Sequence, residues 1–230
     1  IRKGTETPTG MVWETIGDFP YTASTRDKEL LHPFATGVAC VGSNVFVVGG
    51  GGGSWIVRKS SNGGLTWTVV DTFRFSTTDN SHAFSLAADS VGNIYVAGLG
   101  GQVLQKTSRP SWIVRKGTGG GTAWSTIDQF QYPSGSAQAL GVTVDVNNNV
   151  HVTGTAWTGP SSSYRHWITR QRSAITGVWS TSDDFSLASS GYAEGRSITA
   201  DSLGNLFGAG AASDAAGVSH GWLVRRKLVP

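Results

Sequence analysis

The 230-residue chain carries 32 glycines, nine tryptophans, one methionine and only 14% charged residues, which excludes a helical protein built on Ala, Leu, Glu and Lys. Its net charge of +3, with no run of five basic residues, excludes a nucleic-acid footprint, and no apolar stretch nears the roughly 18 residues of a membrane span. Cys40 has no cysteine to pair with, and its apolar setting, Gly37-Val38-Ala39-Cys40-Val41, predicts a buried, inert thiol.

Read in order, the chain writes one segment repeatedly. Ile1-Arg2-Lys3 leads to Trp13 and Phe19, and Trp55-Ile56-Val57-Arg58-Lys59 leads through a glycine-rich turn to Trp67, Asp71 and Phe73. Trp112, Arg115 and Lys116 precede Trp124, Asp128 and Phe130; Trp167 and Arg170 precede Trp179, Asp183 and Phe185; Trp222-Leu223-Val224-Arg225-Arg226 nearly ends the chain. The tryptophans at 55, 112, 167 and 222 recur about every 55 residues, a fixed period that marks a repeat architecture.

Two more strands lie between copies. Phe84 to Ala88 and Ile94 to Ala97 are joined by Asp89-Ser90-Val91-Gly92-Asn93, the residue types of a tight hairpin. The unit recurs at Val142 to Thr153 and Ile198 to Ala209, and at Gly37 to Val48 with a shorter turn. Each repeat therefore holds four strands, A to D in chain order. Near-continuous apolar runs such as Val45 to Val48 predict sheets covered on both faces. The expected fold is all-β: one β-propeller domain over residues 1–230, most simply four-bladed with four-stranded antiparallel blades. With five C strands but four of each other kind, the last blade is expected to take A, B and C from the C-terminal end and D from Val12 to Phe19. Part of a larger ring, or half of one completed by a second copy, is the alternative. Because the chain opens inside a repeat, a processed product or a segment of a longer repetitive protein is expected.

Ser60-Ser61-Asn62-Gly63-Gly64-Leu65-Thr66-Trp67 resembles the Asp box of sialidase-type propellers, with Asn62 in place of the aspartate. Asp89 to Gly98 resembles the SBBP propeller repeat of secreted and surface bacterial proteins. These resemblances imply the propeller fold and a secreted or surface location, and they leave activity open. A sialidase needs an arginine cluster, a tyrosine nucleophile with a glutamate partner, and an acid. Arg165, Arg196, Tyr192 and Glu194 are the set that matches in part, while the family's early Arg-Ile-Pro segment is missing.

Eight tryptophans occupy repeated positions and are expected in the core; Trp157 does not repeat and is expected in the loop Thr155 to His166, beside Tyr164 and Arg165. The repeated arginines and aspartates predict ion pairs or guanidinium stacking between blades. Asp145-Val146-Asn147-Asn148-Asn149 has the spacing that opens a calcium loop, yet it sits in the repeated hairpin and lacks the later glutamate. The five histidines show no zinc-ligand spacing, so neither a metal nor a cofactor is expected.

The A–B and C–D turns are nearly uniform between copies. The B–C loops and the D–A links, which emerge on the opposite face, are not, and that face is where recognition is expected. Phe34, His82, Gln138 and Glu194 stand at equivalent places where strand A begins. Trp157, Tyr164, Arg165, His166, His82, Gln138, Glu194 and Arg196 are thus the candidate ligand-binding residues. The expected function is a non-enzymatic, lectin-like binding module for carbohydrate or protein, acting as a monomer or a ring-completing homodimer. A sialidase-like hydrolase and a structural repeat segment are the alternatives.

Overall fold

A computed structural model describes residues 1–19, 33–77, 79–102, 109–133, 135–158, 164–187, 191–214 and 219–228. The described residues form seventeen strands and no helix. An N-terminal hairpin pairs β1 (Arg2–Thr7) with β2 (Gly10–Thr15). The first four-stranded sheet is β3 (Phe34–Val41), β4 (Asn44–Gly51), β5 (Ser54–Ser60) and β6 (Thr68–Phe73). The second is β7 (Asn80–Ala88), β8 (Ile94–Gln102), β9 (Ser111–Thr118) and β10 (Ala123–Phe130). Next come β11 (Gly135–Val144), β12 (Val150–Thr158), β13 (Arg165–Arg172) and β14 (Trp179–Phe185), then β15 (Tyr192–Ala200), β16 (Leu206–Ser213) and β17 (Ser219–Lys227). The last two groups are linked by a single parallel pairing, Arg165 with Tyr192; every other strand pairing is antiparallel.

This is a propeller-like arrangement, with the A strands β3, β7, β11 and β15 as successive neighbours across the sheets. One C-strand tryptophan per sheet fills each joint. Trp55, Val57, Phe46 and Val48 pack on Ala83, Ile94, Val96 and Ile113 of the next sheet. Trp112 and Val114 pack likewise on Ala137, Ala139, Val150 and Val152, and Trp167 on Ala193 and Ala212. Each indole also meets a D-strand phenylalanine edge-on, Phe73, Phe130 or Phe185, with ring centroids 5.8–6.4 Å apart. A buried indole removes on the order of 150–250 Å² from water, roughly 4–6 kcal/mol of transfer free energy.

Its floor has to be glycine. A methyl group on Gly98 would run into the ring of Trp55 and onto the carbonyl oxygen of His82, and one on Gly154 into Trp112 and the carbonyl of Gln138. That close approach follows from a β-bulge in every A strand, at Thr36, Phe84, Leu140 and Arg196. A bulge re-aims the strand start and its side chains.

The A–B hairpins use their aspartate as predicted for a tight turn. Asp145 Oδ1 accepts from the backbone N–H groups of Asn147 and Asn149, and Oδ2 meets Asn149 Nδ2 and His151 Nε2, each at 2.9 Å. Asp89 and Asp201 do the same with Asn93 and Asn205. Both carboxylate oxygens of Asp145 are thus committed to the turn. At Ser60 to Trp67, Asn62 Oδ1 accepts from Thr66 N at 2.9 Å, and the Trp67 indole donates to Gly64 O at 3.0 Å and to Ile16 O at 2.9 Å.

Three expectations are corrected. The Val12 to Phe19 segment does not complete the last blade: β2 pairs with β1, and β17 is an edge strand with Trp222 95% exposed. Trp13 is also exposed, so the repeated tryptophans are core residues only where a neighbouring sheet covers them. Cys40 is exposed with Val38 on the same strand, because β3 begins the arc and no earlier A strand lies against it among the described residues. Residues 20–32, 103–108, 159–163, 188–190 and 215–218, which make up much of the variable links and loops, lie outside the described residues.

The same repeat position is therefore buried at Trp112 and open at Trp222. Trp112→Ala is expected to cost about 3–5 kcal/mol of unfolding free energy, and Trp222→Ala no more than about 0.5 kcal/mol. Urea unfolding of the two variants checks this, and equal losses would mean that the β17 edge is covered in solution.

Candidate functional site

The bulge geometry sets the first residues of this site. Glu194 lies two residues before the bulged Arg196, at the position Phe34, His82 and Gln138 hold in the other A strands. The rings of Phe34 and His82 stack with centroids 5.1 Å apart, so side chains at this position from adjacent sheets do meet. His82 is also flanked by Phe84, and its Nε2 finds no partner among the described residues. Gln138 is half-buried between the two ends of this series.

Glu194 is 3% exposed, and polar partners surround its carboxyl group. Its Oε2 accepts the Tyr192 hydroxyl at 2.6 Å and Arg165 Nη1 at 3.2 Å. Arg196 Nη2 lies 2.6 Å from Oε1, an ion pair by distance whose angle is poor for a hydrogen bond. Tyr192 and Glu194 share a face because strand side chains alternate, and Arg165 arrives from β13 through the parallel pairing with Tyr192. Its guanidinium sits 4.9 Å from the Trp157 ring and 5.1 Å from the Tyr192 ring. One carboxylate faces two guanidinium groups, so the cluster carries surplus positive charge, and Arg196, 69% exposed, presents it to solvent.

Burial raises the Tyr192 phenol above its ordinary value, the Glu194 carboxylate raises it further, and the two arginines oppose the shift. Tyr192 therefore holds its proton. The glutamate that would remove it is already bound by two arginines, and no second carboxylate joins the cluster among the described residues. The arrangement can hold a polar ligand, and among the described residues it lacks the facing pair of carboxylates that paired-carboxylate hydrolysis uses.

The candidate residues do not form one site: His82 lies on β7 in the second sheet, and the others divide. Trp157, Arg165, Glu194 and Arg196 come together, while His166, next to Arg165 on β13, points to the other face. There its Nδ1 lies 2.6 Å from Asp184 Oδ1, its ring lies 5.0 Å from Tyr132, and Tyr132 donates to Asp184 at 3.0 Å. Trp157 is not in a loop. It belongs to β12 and is 8% exposed under Arg165, which leaves no free indole face to serve as a platform. Tyr164, 47% exposed, is an open aromatic side chain immediately before Arg165 in the chain. Tyr192 enters the site as a full member; its i, i+2 spacing from Glu194 on a strand was the signal for it.

No family model matches the sequence, and no curated protein matches it either. Solved structures do resemble the fold. A protein of unknown function from Dyadobacter fermentans aligns at 14% identity and TM-score 0.58 over 85% of this chain and 65% of its own. The GH93 α-L-arabinofuranosidase of Fusarium graminearum, in complex with arabinobiose, aligns at 13% identity and TM-score 0.55 over 90% and 64%. A PL25 ulvan lyase bound to a GlcA-Rha3S saccharide aligns at 11% and 0.54 over 86% and 57%. The chain thus spans less than two thirds of the length of each. At these identities the likeness is one of fold.

Burial lowers the pKa of His82 and of His151 below the ordinary 6.5, with Asp145 partly offsetting the effect at His151. Asp145 is itself held below 3.8: burial pushes it up, and hydrogen bonds from His151 and Asn149 outweigh that. Asn93 does the same for Asp89, and Asn205 for Asp201. A histidine depressed on folding takes up its proton first in the unfolded chain, so stability falls as pH drops below about 6.5. The depressed aspartates add a second loss below about pH 4. Unfolding free energy measured from pH 8 to pH 3 should fall in these two stages, and His82→Phe should flatten the first.

Proposed function

We propose that the chain is a non-enzymatic carbohydrate-binding module whose ligand sits on the loop face at the Arg165–Glu194–Arg196 cluster, with the exposed Tyr164, next to Arg165 in the chain, as its aromatic contact. The observation that carries this reading is the cluster itself: a buried carboxylate fixed by two arginines and a tyrosine, with one guanidinium left largely in solvent. Sugar hydroxyls are matched by such preorganised donors, because little side-chain ordering has to accompany binding. Tyr164 supplies the flat apolar surface on which a pyranose or furanose ring stacks. Support also comes from the carbohydrate partners named for the fold neighbours, arabinobiose in one and an acidic saccharide in the other.

A second reading has one specific observation behind it. The Tyr192 hydroxyl lies 2.6 Å from Glu194, the contact a tyrosine nucleophile and its base would make. The raised phenol pKa and the doubly paired glutamate weigh against it, so binding without turnover is the preferred account.

A glycan array probed with the intact chain separates the two. Binding is expected, with Tyr164→Ala and Arg196→Ala each weakening it about tenfold or more, equivalent to roughly 1.4 kcal/mol, without lowering the melting temperature. No binding to any glycan would sink the lectin reading. Release of sugar from the bound glycans, lost in Tyr192→Phe, would establish the hydrolase instead.

A further inference from the structure

Arg58, Arg115, Arg170 and Arg225 hold one repeated position on strand C, and three of them find the same partners. Arg115 sets Nε and Nη2 on the two carboxylate oxygens of Asp71 at 2.7 and 2.8 Å, and Nη1 on Thr126 Oγ1 at 3.0 Å. Arg170 repeats this with Asp128 at 2.8 and 2.9 Å and with Thr181 at 3.2 Å. Arg225 reaches Asp183 at 3.0 Å. Each aspartate comes from the D strand of the preceding sheet, and each guanidinium also stacks on that strand's phenylalanine, at 4.7, 4.4 and 3.9 Å.

Arg58 keeps the stacking and loses the rest. It lies 3.8 Å above Phe19, in the chain segment that follows β2. Gly17, two residues before Phe19, stands where the aspartate recurs. Val69, paired with Arg58 across the strands, stands where Thr126 and Thr181 supply a hydroxyl. Arg58 therefore makes no hydrogen bond or ion pair among the described residues. In place of that partner Arg58 lines a cleft of about 260 Å³ whose other walls include Ile1, Gly17, Phe19, Phe34 and Ile56. Asp18, on its rim, is exposed and makes no ion pair with Arg58.

We propose that this cleft binds a carboxylate from outside the chain, held by Arg58 in the bidentate manner that Arg115 and Arg170 use for aspartate. The guanidinium fork matches a carboxylate in shape as well as charge. Phe19 already fixes its plane, so little side-chain entropy is lost on binding, and the apolar walls reduce the solvent screening of the pair. Burial without a counter-charge lowers the proton affinity of Arg58, as expected for a cation that lacks its partner. The cleft volume suits a small free acid or one acidic residue of a saccharide. It is formed by the first sheet, Ile1 and the segment that follows β2, and shares no residue with the cluster around Glu194.

The test uses the intact chain at fixed ionic strength, with acetate and glucuronate as carboxylate probes and chloride and glucose as controls. Both carboxylates are expected to raise the melting temperature by about 3–6 °C once roughly tenfold above their dissociation constants, and to shift the Arg58 Nε–H resonance. Binding of glucuronate at concentrations well below those needed for acetate identifies a saccharide acid as the ligand; equal concentrations identify a small free acid. Arg58→Gln should abolish both responses. Gly17→Asp should abolish them as well while raising the basal melting temperature, since it restores the internal partner; the ring of Phe19 and the end of the Ile1 side chain have to shift by a few tenths of an ångström to admit the new Cβ. A response that survives in both variants, or none in the parent chain, overturns the proposal. So does binding that appears only in an Asp27→Asn/Glu29→Gln double variant, because the chain would then be supplying its own carboxylate.

Discussion

The fold depends on the contact between a C-strand tryptophan and the glycine of the neighbouring sheet's B strand. A sheet covered on both faces must bring its neighbours close, and an indole fills that gap only where the opposing strand has no side chain. Trp55 against Gly98 and Trp112 against Gly154 meet the condition, with the carbonyl of the bulged A strand closing in behind the glycine. The bulge, the glycine and the tryptophan form one device, and removing any member disturbs the other two. It also fixes where each A strand begins, which is why Phe34, His82, Gln138 and Glu194 stand at matching places.

On this apolar joint the arginine–aspartate pairs add register rather than bulk stability. Desolvating a guanidinium and a carboxylate consumes much of what their attraction returns, so the bidentate pairs of Arg115 and Arg170 contribute mainly by fixing how far one sheet slides past the next. Stacking on Phe73 and Phe130 holds the guanidinium plane before the acid is met. The same scaffold is present at Arg58 with the acid absent, and a position that is structural in three copies becomes available for recognition in the fourth.

Much of this was legible in the strand repeat. The period of the tryptophans, the hairpin aspartates and the four strands per unit led directly to β3 through β17, because local hydrogen bonding and apolar patterning act within a few residues of each other. The grouping of Arg165, Tyr192, Glu194 and Arg196 was also visible, as a set of scarce residue types. The environment of each member was not. Trp157 was read as a loop residue because it breaks the repeat, yet β12 continues through it and buries it under Arg165. His166 was grouped with Arg165 by adjacency, although consecutive strand residues face opposite ways.

By itself the sequence determined the strand count, the hairpin turns and the identity of the joint residues, since these follow from propensities and from spacings that every copy repeats. The tertiary structure alone decided what happens at the ends of the arc. Trp222 and Cys40 carry the same local signals as buried residues elsewhere, and only the presence or absence of a neighbouring sheet separates exposed from buried. It likewise decided which charges are neutralised: Arg58 is written like Arg115, and the difference lies in a glycine 41 positions earlier in the chain that packing brings beside it. Burial and charge pairing are properties of neighbours in space, which a one-dimensional repeat specifies only where every copy has the same neighbours.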